Sequence, residues 1–161
     1  MTRTPALQAP AIWVVRAGRG GRTARACKES SIVALPVTFS GDGATATTEA
    51  LVEGGESRGR APMAAALLRR FAAELQIGDR IISPTTDKDR HMVGTLTGPY
   101  RFDPANDDPE LRHVRAATWS TELVVAELPT RLRRALGSPM VLYAPACQAA
   151  LMKLLAEHGL P

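Results

Sequence analysis

The sequence predicts an α+β fold, a curled mixed sheet of five to six strands flanked by helices. Three observations predict it. Short apolar, β-branched runs recur along the chain at 11–15, 32–35, 81–83, 91–97, 113–119 and 140–143. Stretches with apolar residues at helical spacing separate several of them, and Gly or Pro punctuates most of the junctions. The alternation is too irregular for a Rossmann array, which leaves a mixed, curved sheet with helices packed on it.

Ala11-Ile12-Trp13-Val14-Val15 is bounded by Pro10 and Gly18 and reads as a buried strand. The loop RAGRGG follows. Residues 22–30 permit a short helix, and Ile32-Val33-Ala34-Leu35 is a second buried strand stopped by Pro36. Residues 38–61 are rich in Gly, Ser and Thr and read as a mobile loop with one helical turn at most. They are not expected to link two domains, because the part before them is too small to fold alone. In residues 62–75, Met63, Leu67, Leu68, Phe71, Ala72 and Leu75 recur at helical spacing, with Pro62 in the first turn and Gly78 just beyond the end. Ile81-Ile82-Ser83 is then a strand entered through a tight turn. Strands at 91–97 and 113–119 flank a loop holding Asp103, Pro104, Asp107, Asp108 and Pro109. A helix at 127–136, a strand at 140–143 and an amphipathic helix at 147–158 complete the chain. One domain over 1–161, with a flexible start at 1–10, is expected.

A chain of 161 residues with 45 % hydrophobic content can bury a sizeable core. Cys27 and Cys147 lie far apart with no CxxC or Cys/His spacing, so neither a disulfide framework nor a zinc site is expected, and a reducing, cytoplasmic setting fits. The apolar run near the start is too weak for a signal peptide, and none is long enough to span a bilayer. The net charge of +4 comes from 20 basic against 16 acidic residues. The basic excess is concentrated: Arg3, Arg16, Arg19, Arg22, Arg25 and Lys28 face only Glu29 in the first 30 residues. Such a basic end favours a polyanionic partner. Arg far outnumbers Lys, which suits forked contacts to phosphate but also follows from a GC-rich genome; composition does not separate the two.

No constellation for catalysis is legible. His91, His113 and His158 lie outside any nucleophile motif, and the first two read as structural histidines at strand ends. Lys28, Lys88 and Lys153 fall where a metal-dependent nuclease core would not place its lysine. Asp103, Asp107, Asp108 and Glu110 do not match a calcium loop. No metal and no cofactor are expected. Gly18-Arg19-Gly20-Gly21 follows a strand and precedes a helix as a phosphate loop does, yet lacks the Walker lysine and the full GxGxxG. Its amides and arginines still qualify as donors to a phosphate, and a plain flexible turn is the alternative. Trp13 and Trp119 are by default core residues.

Taken in order, IWVVRAGRGG, SIVAL, LLRRFAAELQIGDRIISP, MVGTLTGPYRF, RHVRAATW and LRRALGSPMVLY resemble a PUA-like domain family related to EVE and YTH domains, similar to the N-terminal portion of many Mrr-type restriction endonucleases. The likeness runs from about Ile12 to Tyr143. It implies a pseudo-barrel sheet and a non-catalytic reader that flips a modified base, a modified cytosine in duplex DNA, into an aromatic pocket. Flipping costs a few kcal/mol of unstacking, which stacking and edge hydrogen bonds must offset. Mapped onto this chain, the resemblance places Trp13, Val37, Ser83, Thr85 and Trp119 at the base and Arg16, Arg19, Arg22, Arg112 and Arg115 on the phosphates. Where relatives carry Gly-Trp after the second strand, this chain has Pro36-Val37, so one aromatic wall is absent. No nuclease segment is read before Pro161, so a restriction or phage-defence role is expected to draw on a separate nuclease. An RNA or modified-nucleoside ligand, or a regulatory protein with a degenerate pocket, is the alternative.

Overall fold

The structure is a computed structural model and describes residues 9–160. Most of the expected flexible start therefore lies outside the described residues. Six strands, β1 (Ile12–Val15), β2 (Ile32–Leu35), β3 (Arg80–Pro84), β4 (Arg90–Phe102), β5 (His113–Val124) and β6 (Leu142–Tyr143), form one open mixed sheet in the order β2-β5-β4-β3-β1-β6. Five helices join them: α1 (Ala24–Glu29), α2 (Thr48–Glu53), α3 (Ala61–Ala73), α4 (Thr130–Ala135) and α5 (Gln148–Glu157). The α+β class and the mixed sheet are as the sequence predicts.

β1 runs parallel to β3, with Trp13 opposite Ile81, and antiparallel to β6, with Val14 opposite Tyr143. Because β6 has only two residues, Ile12 has no strand partner on that side. The side-chain amide of Gln148, at the start of α5, takes its place: Oε1 accepts from the Ile12 N–H at 2.8 Å and Nε2 donates to the Ile12 carbonyl at 3.0 Å. A side chain thus satisfies backbone groups that would otherwise be left unpaired.

β4 and β5 are much longer than the runs 91–97 and 113–119 predict. Their pairing resumes beyond Gly98 and Pro99 because the register shifts twice, between Val93 and Gly94 and between Leu96 and Tyr100. Such bulges let a strand pass residues that would otherwise end it, and they bend the sheet. Gly94 is obligatory at the first shift, since a Cβ there would sit 2.4 Å from the Thr118 carbonyl oxygen.

The bent sheet brings residues from both of its ends into one core. Val33 and Leu35 from β2, Val15 from β1 and Leu142 from β6 share a cluster with Ile81, Leu96 and Ala117. The buried stripe of α3 covers it: Ala61, Ala65, Leu68 and Phe71 recur every three or four residues. Each large side chain of this kind contributes about 1.5–3 kcal/mol on burial. A second cluster sets Leu132 of α4 and Leu151 and Leu155 of α5 against Ile12, Val14, Ile82, Val93 and Leu123. Ala24 and Cys27 of α1 pack on Ile32, Ala34, Met92 and Val114.

Residues 38–61 hold more regular structure than the single helical turn their composition predicts. They hold a 3-10 turn, Gly43–Thr45, capped by Asp42, and then α2, capped by Thr47. Tertiary contacts anchor both: the Gly43 N–H donates to the Tyr100 hydroxyl at 2.7 Å, Arg69 donates to the Ala46 carbonyl, and Ala46 and Leu51 enter the core. Anchors this distant in sequence leave no local compositional trace.

Candidate functional site

The C-terminal ends of β1 and β2 open onto a cleft of about 460 Å3. The glycine loop forms one wall, Pro36 continues β2 into it, and Pro139 and Val141 form the wall before β6, while Arg16, Arg19 and Glu110 supply the charged groups. The volume lies in the range of sites that accept a small ligand.

Backbone geometry explains the glycine loop. Gly18, Gly20 and Gly21 all have positive φ, at 72°, 64° and 78°. Gly21 also lies so close to the turn after β3 that a Cβ would meet the Thr85 carbonyl carbon at 2.4 Å. At Gly18 the nearest obstacle would be Glu110 Oε2, at 2.8 Å. Four of the loop's amides are spent internally: those of Gly18, Gly21, Arg22 and Thr23 donate to the carbonyls of Arg16, Gly18, Arg19 and Ala17. What the loop brings to the cleft is the Arg19 side chain and the backbone of Arg19 and Gly20.

The five arginines read as phosphate contacts separate into distinct roles. Arg19 is exposed at the cleft mouth, and no described residue hydrogen-bonds to its side chain. Arg16 donates through Nη2 to the Ser138 carbonyl, and its buried Nε has no partner among the described residues. Arg22 is engaged: its two terminal nitrogens each reach Asp108 at 3.0 Å, and Nη2 reaches Glu110 at 2.8 Å. These bonds raise the Arg22 pKa and hold the Asp108 carboxyl below its usual range. Arg112 donates to the Asn106 carbonyl. Arg115 is a correction, because it is 4 % exposed and spends its guanidinium on the carbonyls of Gly98, Phe71 and Leu75. Phe71 lies in the last turn of α3 and Leu75 just past its end, where carbonyls lack intrahelical donors. Arg115 caps that helix and faces no solvent.

The residues read as a base pocket do not converge, a second correction. Trp13, Ile81, Gly94 and Trp119 stand in one transverse row of the sheet. The two tryptophans are thus three strand spacings apart, about 14 Å along the sheet. Trp13 donates its indole N–H to Asp79 Oδ2 at 2.9 Å and packs on the α3 core. Trp119 donates to the Ile32 carbonyl at 2.9 Å and borders a different depression, with Lys28 and Arg90. Ser83 is buried and donates to the Val15 carbonyl at 2.6 Å. Thr85 organises the turn into β4 by donating to Asp87 and Arg90 carbonyls, and Val37 borders a small hollow beside α2. Strand alternation and register, invisible in a linear motif, scatter these five positions.

Glu110, in the sequence one acid among several in a loop, is the one carboxylate lining the cleft. Asp79, 5 % exposed, stands out no more in the sequence, yet it accepts from Ala11 and Gln76 amides as well as from Trp13. The signal for Asp79 is local only in part: a Q-I-G-D turn beyond a helix. Among the described residues, no three His, Cys, Asp or Glu side chains are grouped to share a metal ion.

His113 is fully buried and held in one tautomer. Its Nδ1 lies 2.8 Å from the Tyr100 hydroxyl, which donates to it, and Nε2–H donates to the Phe39 carbonyl at 2.6 Å. The Tyr100 oxygen is free to accept from Gly43 because its own proton is donated toward His113 Nδ1. Phe39, Tyr100 and Phe102 surround the imidazole. Burial lowers the pKa of His113 and of His91; nearby Asp42 opposes this at His113, and Arg16 reinforces it at His91. A lowered folded-state pKa means the unfolded chain takes up protons first as pH falls. The stability contributed by the neutral histidines is therefore complete above about pH 6.5 and is lost as pH drops through their folded values. Urea midpoints at pH 7.5 and about pH 5 check this: the midpoint falls at the lower pH, and an unchanged midpoint contradicts the assignment.

Taken together, these features define an α+β single-sheet module with a positively lined cleft at the ends of β1 and β2. The chain belongs to the family described as Domain of unknown function (DUF8426), whose model matches residues 13–132. That span runs from within β1 to the middle of α4 and includes both arginines and the glutamate of the cleft. No curated protein matches the chain. A solved structure of a hypothetical protein from Leishmania major is similar to it, at 10 % identity over 96 % of this chain and 99 % of that one, with a TM-score of 0.46. No helix among the described residues is long and apolar enough to cross a membrane.

Proposed function

We propose that the chain is a non-catalytic nucleic-acid-binding module whose cleft at the ends of β1 and β2 receives a nucleobase. The observation that carries this reading is the pairing of Arg19, exposed and uncommitted, with Arg16, whose Nε is orphaned, at the mouth of a cleft with apolar walls. Arginine there offers donors to a phosphate or a planar face to a base. Pro36, Pro139 and Val141 provide the apolar contact that tryptophans were expected to provide. The PUA-like resemblance supports a modified cytosine in duplex DNA as the ligand, a pseudo-barrel reading of the curved sheet, and a restriction or phage-defence setting with a separate nuclease.

The test is fluorescence anisotropy with labelled duplexes carrying cytosine, 5-methylcytosine or 5-hydroxymethylcytosine, with single-stranded RNA as competitor. Binding is expected to weaken with salt and to favour a modified duplex. Arg19→Ala weakens it severalfold and reduces the salt slope by about one, leaving the melting temperature unchanged. Absence of binding to any of these at low salt sinks the reading. Displacement by RNA with no preference among the duplexes moves the ligand to RNA.

A further inference from the structure

We propose that Glu110 makes the cleft selective for bases that carry an exocyclic amino group in place of a carbonyl, cytosine over uracil or thymine. The inference rests on reading the cleft as a nucleobase site. Glu110 reaches the cleft from the 3-10 turn Pro109–Leu111 in the β4–β5 loop, and its side chain is 26 % exposed. Two features fix its position. Arg22 donates to Oε2 at 2.8 Å, and the same oxygen rests so close to Gly18 that a Cβ at that residue would collide with it. The carboxylate is therefore held against the glycine loop rather than waving in solvent. Arg22 is anchored in turn by Asp108, which both of its terminal nitrogens reach. Oε1 accepts no hydrogen bond from any described residue.

A carboxylate is an acceptor with about four lone-pair sites and no proton to give. Facing a pyrimidine, it can accept from the N4 amino group of cytosine; uracil and thymine present the O4 lone pairs at the same place. The wrong base leaves two acceptors face to face in a partly desolvated cleft, and sites built around one hydrogen-bonding pattern reject the analogue lacking it strongly. Arg16 and Arg19 are the complementary half: they hold a phosphate or stack on the ring, and neither discriminates the two pyrimidines. The charge pattern of the cleft, two donors' worth of arginine and one acceptor, thus divides into affinity and selection.

Cytidine 5′-monophosphate and uridine 5′-monophosphate differ at the 4-substituent and, with it, in the protonation of N3, and both carry the phosphate for the arginines. Titrated calorimetrically into the full chain, the cytidine nucleotide is expected to bind about tenfold more tightly, the lower part of the range for one base-edge discrimination. In Glu110→Gln the ratio collapses to within about twofold, because an amide both donates and accepts. In Arg22→Met, which removes the bond that holds the carboxylate, the ratio falls but stays above that of Glu110→Gln. Thermal melting of both variants shows that they are folded. Equal binding of the two nucleotides by the unmodified chain, or a ratio retained in Glu110→Gln, overturns the proposal. Equal binding that still weakens in Arg19→Ala leaves the base-cleft reading standing, whereas failure of both nucleotides and of the modified duplexes removes both.

Discussion

Arg115→Met is expected to destabilise the protein by about 3 kcal/mol or more without any direct effect on nucleic-acid affinity. The guanidinium lies under the sheet and satisfies the carbonyls of Gly98, Phe71 and Leu75 together. Methionine fills much of the space of the stem but leaves those three acceptors without a donor. Burial lowers the Arg115 pKa, and the ordinary arginine value is so high that the side chain keeps its proton at any pH of interest. Arg115→Lys is a weak rescue, because one ammonium cannot reproduce the forked geometry that spans a helix end and a strand. Urea denaturation gives the loss, and the salt slope of binding, measured on folded protein, stays where it was. A variant of full stability with a shallower slope would restore Arg115 to the phosphate contacts where the linear motif RHVRAATW places it.

Asp79→Ala is expected to cost a similar amount, about 3–5 kcal/mol. Its carboxylate gathers three donors from three places: the Ala11 amide at 3.0 Å, the Gln76 amide at 2.9 Å and the Trp13 indole at 2.9 Å. Alanine strands all three. Bonds to a charged acceptor are the stronger kind, and the interaction ties the entrance of β1 to the turn after α3. Asp79→Asn keeps one carbonyl oxygen and turns an NH2 toward a donor, so it falls between the two. Unfolding followed by tryptophan fluorescence measures the loss, and Trp13→Phe in the same background tests the coupling. If Asp79 acts through the indole, the double variant loses less than the sum of the singles.

These two side chains illustrate how the linear and the folded readings differ. Trp13 and Trp119 are tryptophans in strands, and the resemblance to PUA-like domains led to the expectation of an aromatic pocket around them. Each indole N–H is already committed inside the protein, to Asp79 and to the Ile32 carbonyl. The acid that answers Trp13 is 66 residues away, and the carbonyls that answer Arg115 are 40 and 44 away within one helix end. No periodicity reports pairings at such separations. The two register shifts in β4 have the same character: a Gly-Pro pair reads as a strand terminator unless the partner strand accommodates it.

The features legible along the chain are local. β-branched runs between breakers placed the strands, apolar spacing placed α3, and three glycines after β1 announced a turn, because each of these depends on near neighbours along the chain. Only the tertiary structure decided which arginines remain available. Arg22 is taken by Asp108 and Glu110 and Arg115 by α3, so Arg19 and part of Arg16 are left at the cleft. A charge is assigned its role by whatever the fold sets beside it. The same juxtaposition turned Glu110, one acid among several in a loop, into the acceptor that stands opposite those arginines.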